Sequence, residues 1–180
     1  MKKIFLMTAT ICLLIFGGAI AEANQNFVRV SDLSATEFIG KMSESSAYRK
    51  VAQVGIIVEF ATPVRRADLD NPKNFPNTNA VAVTFATEDM TEPAGEIHFF
   101  LDGESRIFAM RLMNTVNADV SSTVLFMAFE ALGLNQSETE ELIKSDAPDD
   151  EVWCTTAKRK ICRSIADTAG NDIFLFSTRD

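Results

Sequence analysis

The chain has 180 residues, 47% of them hydrophobic, and a formal net charge of −8. This length suits one domain with a sizeable core. The negative charge argues against nucleic acids and anionic lipid surfaces as partners, because their phosphates would repel the chain.

The N-terminus has the pattern of a secretory signal peptide. Lys2 and Lys3 precede an apolar run, and small residues follow it up to Ala23. We predict residues 1–21 as the signal, with cleavage after Ala21 or Ala23, and residues 24–180 as a single domain that is exported to the periplasm or secreted. An uncleaved membrane anchor is the alternative. No later segment is apolar enough to span a membrane.

The first half of the mature chain predicts one helix and several strands. A short strand or extended lead-in is expected at residues 27–30. Ser34 and Glu37 have the spacing of a capping box, which predicts a helix from there to about Lys50. Alternating apolar residues then predict strands at residues 54–60 and 81–85.

The second half continues with a hairpin and two helices. The Asp102-Gly103 step predicts a turn in which the glycine takes a positive φ. Helical spacing from residue 120 to residue 132 ends at Gly133, a good left-handed cap. A second capping box is predicted at residues 137–140, opening a helix to about residue 144. A final strand is expected at residues 173–176.

These elements predict an α+β fold. Neighbouring strands separated by segregated helices are typical of a mainly antiparallel sheet with helices packed on one face. The sequence shows no internal repeat and no domain boundary.

The two cysteines outside the signal, Cys154 and Cys162, predict a disulfide. An exported protein meets an oxidising compartment. If residues 157–159 form the loop of a hairpin, Cys154 falls directly opposite Cys162, within bonding distance. With His98 as the only histidine, the chain lacks the ligands of a zinc site. We therefore expect a disulfide-clamped C-terminal hairpin, no metal and no cofactor.

Two basic stretches are candidates for binding a partner. The hairpin carries Lys158, Arg159, Lys160 and Arg163, and a rigid basic tip would lose little entropy on binding an anionic group. The long segment 61–79 carries Arg65 and Arg66, and loops of that length are often functional. The alternatives are an ordinary solvated turn and a mobile crossover.

No catalytic motif is present in the sequence. His98 has no partner at an informative spacing, and an ordinary histidine on a strand face is the simplest interpretation. We expect an exported, acidic binding protein without turnover that captures a protein partner in the bacterial cell envelope. An inhibitor or immunity-type protein is one form of such a protein. The alternatives are an envelope hydrolase that uses His98 with a nearby carboxylate, and a module that binds a small molecule or lipid.

Overall fold

A computed structural model describes residues 26–69, 75, 79–88, 90, 92–114, 118–144, 151–165 and 172–179, except for the side chains of residues 114 and 118. The predicted signal peptide lies outside these residues, as does most of the segment 70–78.

The described strands form one nine-stranded sheet, in which every pairing is antiparallel. The main path runs β2-β4-β5-β6-β9-β8-β7, with β3 pairing with β4 and β1 pairing with β9. The strands are β1 (Phe27–Val28), β2 (Val58–Phe60), β3 (Val64–Arg66), β4 (Asn79–Thr87), β5 (Gly95–Leu101), β6 (Ile107–Asn114), β7 (Glu151–Thr155), β8 (Lys160–Ile165) and β9 (Asp172–Thr178).

Four helices lie within the described residues: α1 (Ala35–Ser43), α2 (Ser46–Ala52), α3 (Ala118–Ala131) and α4 (Gln136–Leu142). Together with the sheet they confirm the α+β prediction. The single helix predicted up to Lys50 is wrong, because Ser45 caps a second helix by accepting a hydrogen bond from the amide of Tyr48.

The strand predicted over residues 54–60 is shorter in the structure. Gly55 has φ 86 and forms a turn after α2. Val54 and Ile56 therefore lie exposed in this turn, and the strand begins only at Val58. The alternating pattern extended beyond the strand because an exposed turn can contain apolar residues too.

The caps of α1 and α4 show one correct and one wrong prediction. Ser34 and Glu37 form the predicted capping box of α1. In α4 the cap is Asn135, whose side chain accepts from the amide of Glu138 while the Glu138 carboxylate accepts from the amide of Asn135. Ser137, the predicted cap, lies inside the helix. Asparagine and serine are both favoured at helix N-caps, so the sequence pattern alone did not show which of the two residues caps α4.

The helices share their core with one face of the sheet. Their buried side chains, such as Phe38 of α1 and Phe129 of α3, join one cluster with Phe99 of β5 and Leu175 of β9. Gly133 ends α3 with φ 81, as predicted. No helix within the residues that the structure describes is long and apolar enough to cross a membrane.

The opposite face of the sheet carries a second, aromatic cluster. Its members come from the strands and from position 75 of the long segment: Phe27, Phe75, Phe100, Phe108, Phe174 and Phe176. Phe75 lies 5.1 Å from Phe27 and 5.4 Å from Phe100 between ring centroids. The six phenylalanines of this aromatic cluster therefore pack mainly against one another.

The β5–β6 hairpin differs from its prediction in one residue. Ser105, with φ 60, adopts the left-handed conformation, whereas Gly103 does not. The Asp102 carboxylate accepts from the amides of Glu104 and Arg106 and thereby holds the turn. Five residues, 102–106, connect the two strands, and a longer connection can place its left-handed residue later than a two-residue one does.

The predicted disulfide of the C-terminal hairpin is not found. Cys154 pairs with Ile161, and Cys162 pairs with Trp153. This register is one residue away from the predicted one, and a slip of one residue moves a side chain to the other face of a sheet. Cys154 belongs to the helix-side core and Cys162 to the aromatic cluster, and both are buried free thiols.

Candidate functional site

The tip of the β7–β8 hairpin is ordered by Thr156. Its amide donates to the carbonyl of Arg159 over 2.9 Å, and its hydroxyl donates to the same carbonyl over 2.8 Å. The hydroxyl also accepts from the amides of Lys158 (3.3 Å) and Arg159 (3.1 Å). A threonine hydroxyl bonded to nearby backbone groups is a known turn-forming device. The basic tip is therefore held in one conformation without a disulfide.

The tip contacts the first strand of the domain. Arg159 Nη1 donates a hydrogen bond of 2.8 Å to the carbonyl oxygen of Arg29, just after β1. Burial lowers the pKa of Arg159, and the charge of Asp32 partly opposes this shift. Nearby, the amide of Arg179 donates to the carbonyl of Asn26 over 2.8 Å. These contacts bring both ends of the domain to the hairpin.

A cleft of about 780 Å³ lies between the tip, β1 and the end of β9. Phe27 and Phe108 contribute aromatic surface to it, and Asp32 and Asp102 contribute carboxylates. Five basic residues also line it: Arg29, Lys158, Arg159, Lys160 and Arg179. In a protein with net charge −8, this is a concentration of positive charge.

One of these cations is already neutralised within the chain. The guanidinium of Arg29 contacts the Asp102 carboxylate and lies 2.7 Å from that of Glu104. The hydrogen bond to Glu104, followed in size by the one to Asp102, raises the pKa of Arg29. Lys158, Arg159, Lys160 and Arg179 supply the other positive charges of the cleft. The cleft can hold an anionic group beside an apolar one.

Arg163 was predicted with the tip residues, and the structure places it elsewhere. Its side chain is 3% exposed, and its Nε donates to the carbonyl of Leu142 at the end of α4. Because it alternates with Cys162 along β8, it points to the helix side of the sheet. Arg163 joins the sheet to α4 and does not line the cleft.

Arg65 and Arg66 lie on β3, near the opposite edge of the sheet. Arg65 Nη2 donates to Asn79 Oδ1 over 2.7 Å, and Arg66 Nε donates to Asp68 Oδ1 over 2.8 Å. The hydrogen bond from Arg66 is the main reason that the pKa of Asp68 falls to about 2. The two arginines line a separate pocket of about 250 Å³. The structure does not bring them together with the hairpin tip.

His98 lies on β5 and is 4% exposed. Its Nε2 is 2.8 Å from Glu96 Oε2, and its Nδ1 has no hydrogen-bond partner among the described atoms. Arg111, its cross-strand neighbour, donates to Asp172 over 2.7 Å. The described residues contain no group of three or more side chains suited to a metal ion.

Arg29, Arg179, Phe27 and Phe108 were not predicted as site residues. They come together because β1 pairs with β9, at Phe27 and Thr178, and β9 pairs with β8, at Thr178 and Lys160. The only signal in the sequence was the basic character of Arg29 and Arg179, which does not reveal that β1 pairs with β9.

The comparisons with known proteins add no relative: no protein-family model, no curated protein and no solved structure matches the chain significantly.

Proposed function

We propose that the chain is an exported binding protein whose cleft grips an acidic group on a protein partner in the cell envelope. The observation that carries this proposal is the cleft of about 780 Å³ at the hairpin tip, lined by five basic residues in a protein of net charge −8. A prearranged cationic surface binds an anion at a small entropic cost.

The acidic body of the protein and its basic cleft together suggest what kind of partner fits. A partner that is basic overall is attracted over long range by the acidic body of this protein. A carboxylate on that partner then pairs with Lys158, Lys160 and Arg179 at short range. An enzyme with a cationic surface and carboxylates in its active site combines both features, so an inhibitor or immunity-type role is the form that we favour.

The alternatives receive less support from the geometry. His98, the residue on which a hydrolase would depend, is 4% exposed and pairs with Glu96, so a substrate would have little access to its ring. The phenylalanines that would line an apolar ligand site pack against one another. The cleft instead presents charged groups at the surface.

Capture from an envelope extract tests the proposal. Immobilised wild-type protein should retain a partner at low salt and release it at high salt, because screening weakens interactions between exposed charges. The variant Lys158→Ser/Lys160→Ser should retain much less. The matched control Lys41→Ser/Lys50→Ser removes two exposed lysines from α1 and α2 and should behave like wild type.

Two results would oppose the proposal. Equal retention by the tip variant and the control would show that the cleft does not carry the interaction. A hydrolytic activity on envelope material that disappears in His98→Ala, with no partner retained by the wild type, would favour the enzyme.

A further inference from the structure

Strand β7 is the outermost strand on its side of the sheet. It pairs with β8, and no other strand of the described chain pairs with it. The bond from the Thr156 amide to the Arg159 carbonyl sets the alternation of the ladder, so that Cys154 bonds to Ile161 and the next positions do not bond across. The backbone groups of Trp153 and Thr155 therefore point away from β8.

Three of the features that usually prevent strand addition are absent from this edge. Edge strands are commonly protected by lysine, proline or a bulge. The β7 sequence Glu-Val-Trp-Cys-Thr contains no lysine and no proline, and its pairing with β8 shows no bulge. The opposite edge is different. There β2 and β3 both pair with β4 but are separated by residues 61–63, which include Pro63. Among the sheet edges that the structure describes, only β7 offers five uninterrupted residues.

Trp153 gives this edge an aromatic anchor. Its side chain is 38% exposed and meets the ring of Phe176 edge-on, with 5.6 Å between centroids. It lies on the helix-free face of the sheet, because its cross-strand partner Cys162 belongs to the aromatic cluster. A half-exposed tryptophan on a rigid support is the type of residue that dominates binding energy at interfaces.

We infer that β7 binds an extended acidic segment of the protein partner as an added antiparallel strand, an inference that rests on the proposed function. Main-chain hydrogen bonds to Trp153 and Thr155 supply affinity in this mode. The strand leads directly into the basic tip, where Lys158 and Lys160 meet acidic side chains of the added segment. A second copy of this chain fits less well, because two bodies of net charge −8 repel each other.

A synthetic peptide of four valine–glutamate repeats is the probe. Titration of the full mature protein with this peptide should slow hydrogen exchange of the Trp153 and Thr155 amides. The emission of Trp153 should change as well, and because the chain has one tryptophan the signal is local. A valine–lysine peptide of equal length should have neither effect.

A proline variant tests the backbone contact specifically. Thr155→Pro removes an amide that has no partner inside the hairpin, so the ladder to β8 should survive while peptide binding falls at least tenfold. The matched variant Thr155→Ala keeps the amide and should bind the peptide at least tenfold more tightly than Thr155→Pro does. Should the proline variant fail to fold, the amide protection measured on the wild type still decides.

The outcomes separate this inference from the proposed function. Peptide binding that depends on Lys158 and Lys160 but leaves both amides unprotected would overturn strand addition and leave the cleft in place. Protection of both amides with no dependence on the lysines would support strand addition and oppose the role of the cleft. No protection at saturating peptide overturns the inference.

Discussion

Arg159 donates a hydrogen bond of 2.8 Å to the carbonyl oxygen of Arg29, and this contact joins the C-terminal hairpin to the first strand. Because Thr156 holds the turn from the other side, the tip is fixed at both ends. The cleft between these elements is therefore formed before any ligand arrives. This preorganisation is what makes the basic tip a better candidate than a solvated turn.

Thr156→Val tests whether the order of the tip matters. Valine has nearly the same shape but loses the hydroxyl and its three contacts with the backbone of Lys158 and Arg159. We expect faster hydrogen exchange at these two amides and a loss of about 1 kcal/mol of stability. Partner binding should weaken although no charge changes. Unchanged exchange at both amides would show that the hydroxyl does not order the turn.

Reducing agent should leave the melting temperature unchanged, because Cys154 and Cys162 face opposite sides of the sheet and are free thiols. In protein that lacks the predicted signal peptide, and with it Cys12, a thiol reagent should find two reactive groups after denaturation without reductant. It should find almost none in the native protein, since both side chains are buried. A fall in melting temperature on reduction, or no reactive thiols after denaturation, would show that Cys154 and Cys162 form a disulfide.

Stability should decline in alkaline solution because of Cys154. Burial, followed by the charges of Glu138 and Glu141, raises the pKa of this thiol from 9.0 to about 11. The unfolded chain releases the proton above pH 9, whereas the folded protein keeps it until about pH 11. Unfolding is therefore favoured as pH rises through this window, by about 2–3 kcal/mol in total.

Urea unfolding at several alkaline pH values measures this effect. Cys154→Ala should be less stable overall but should lose this part of the pH dependence. Cys162→Ala keeps the Cys154 thiol and should keep the dependence. Identical alkaline slopes for wild type and Cys154→Ala would contradict the assignment.

The cap of α4 gives a direct comparison of two neighbouring residues. Asn135→Ala removes the side chain that accepts from the Glu138 amide and should cost about 1 kcal/mol of stability. Ser137→Ala changes an exposed residue inside the helix and should be almost neutral. Chemical denaturation checks both, and a larger loss in Ser137→Ala would place the cap where the spacing first suggested.

The fold class and most elements could be predicted from the sequence because they depend on local patterns. The Ser34 capping box, the Gly133 cap, the alternation in β4 and the apolar run in β9 each act within a few residues. The prediction that Cys154 pairs with Cys162 was wrong because it depended on the length of the hairpin loop. A three-residue loop places Cys154 opposite Cys162, whereas the four-residue turn places it opposite Ile161.

The candidate site was predicted in part. Lys158, Arg159 and Lys160 do line the cleft, because a hairpin tip is a local feature. Arg163 does not, since alternation along β8 turns it toward α4. Arg29 and Arg179 could not be found, because they reach the cleft through the pairing of β1 with β9, which no local pattern encodes.

The salt dependence of partner affinity tests the central claim most directly. With the partner recovered from the extract, we expect the Kd of wild type to rise with salt, and the Kd of Lys158→Ser/Lys160→Ser to be at least tenfold higher at low salt with a shallower dependence. Lys41→Ser/Lys50→Ser should follow wild type. If the tip variant and the helix variant show the same Kd and the same salt slope, the cleft is not the binding site.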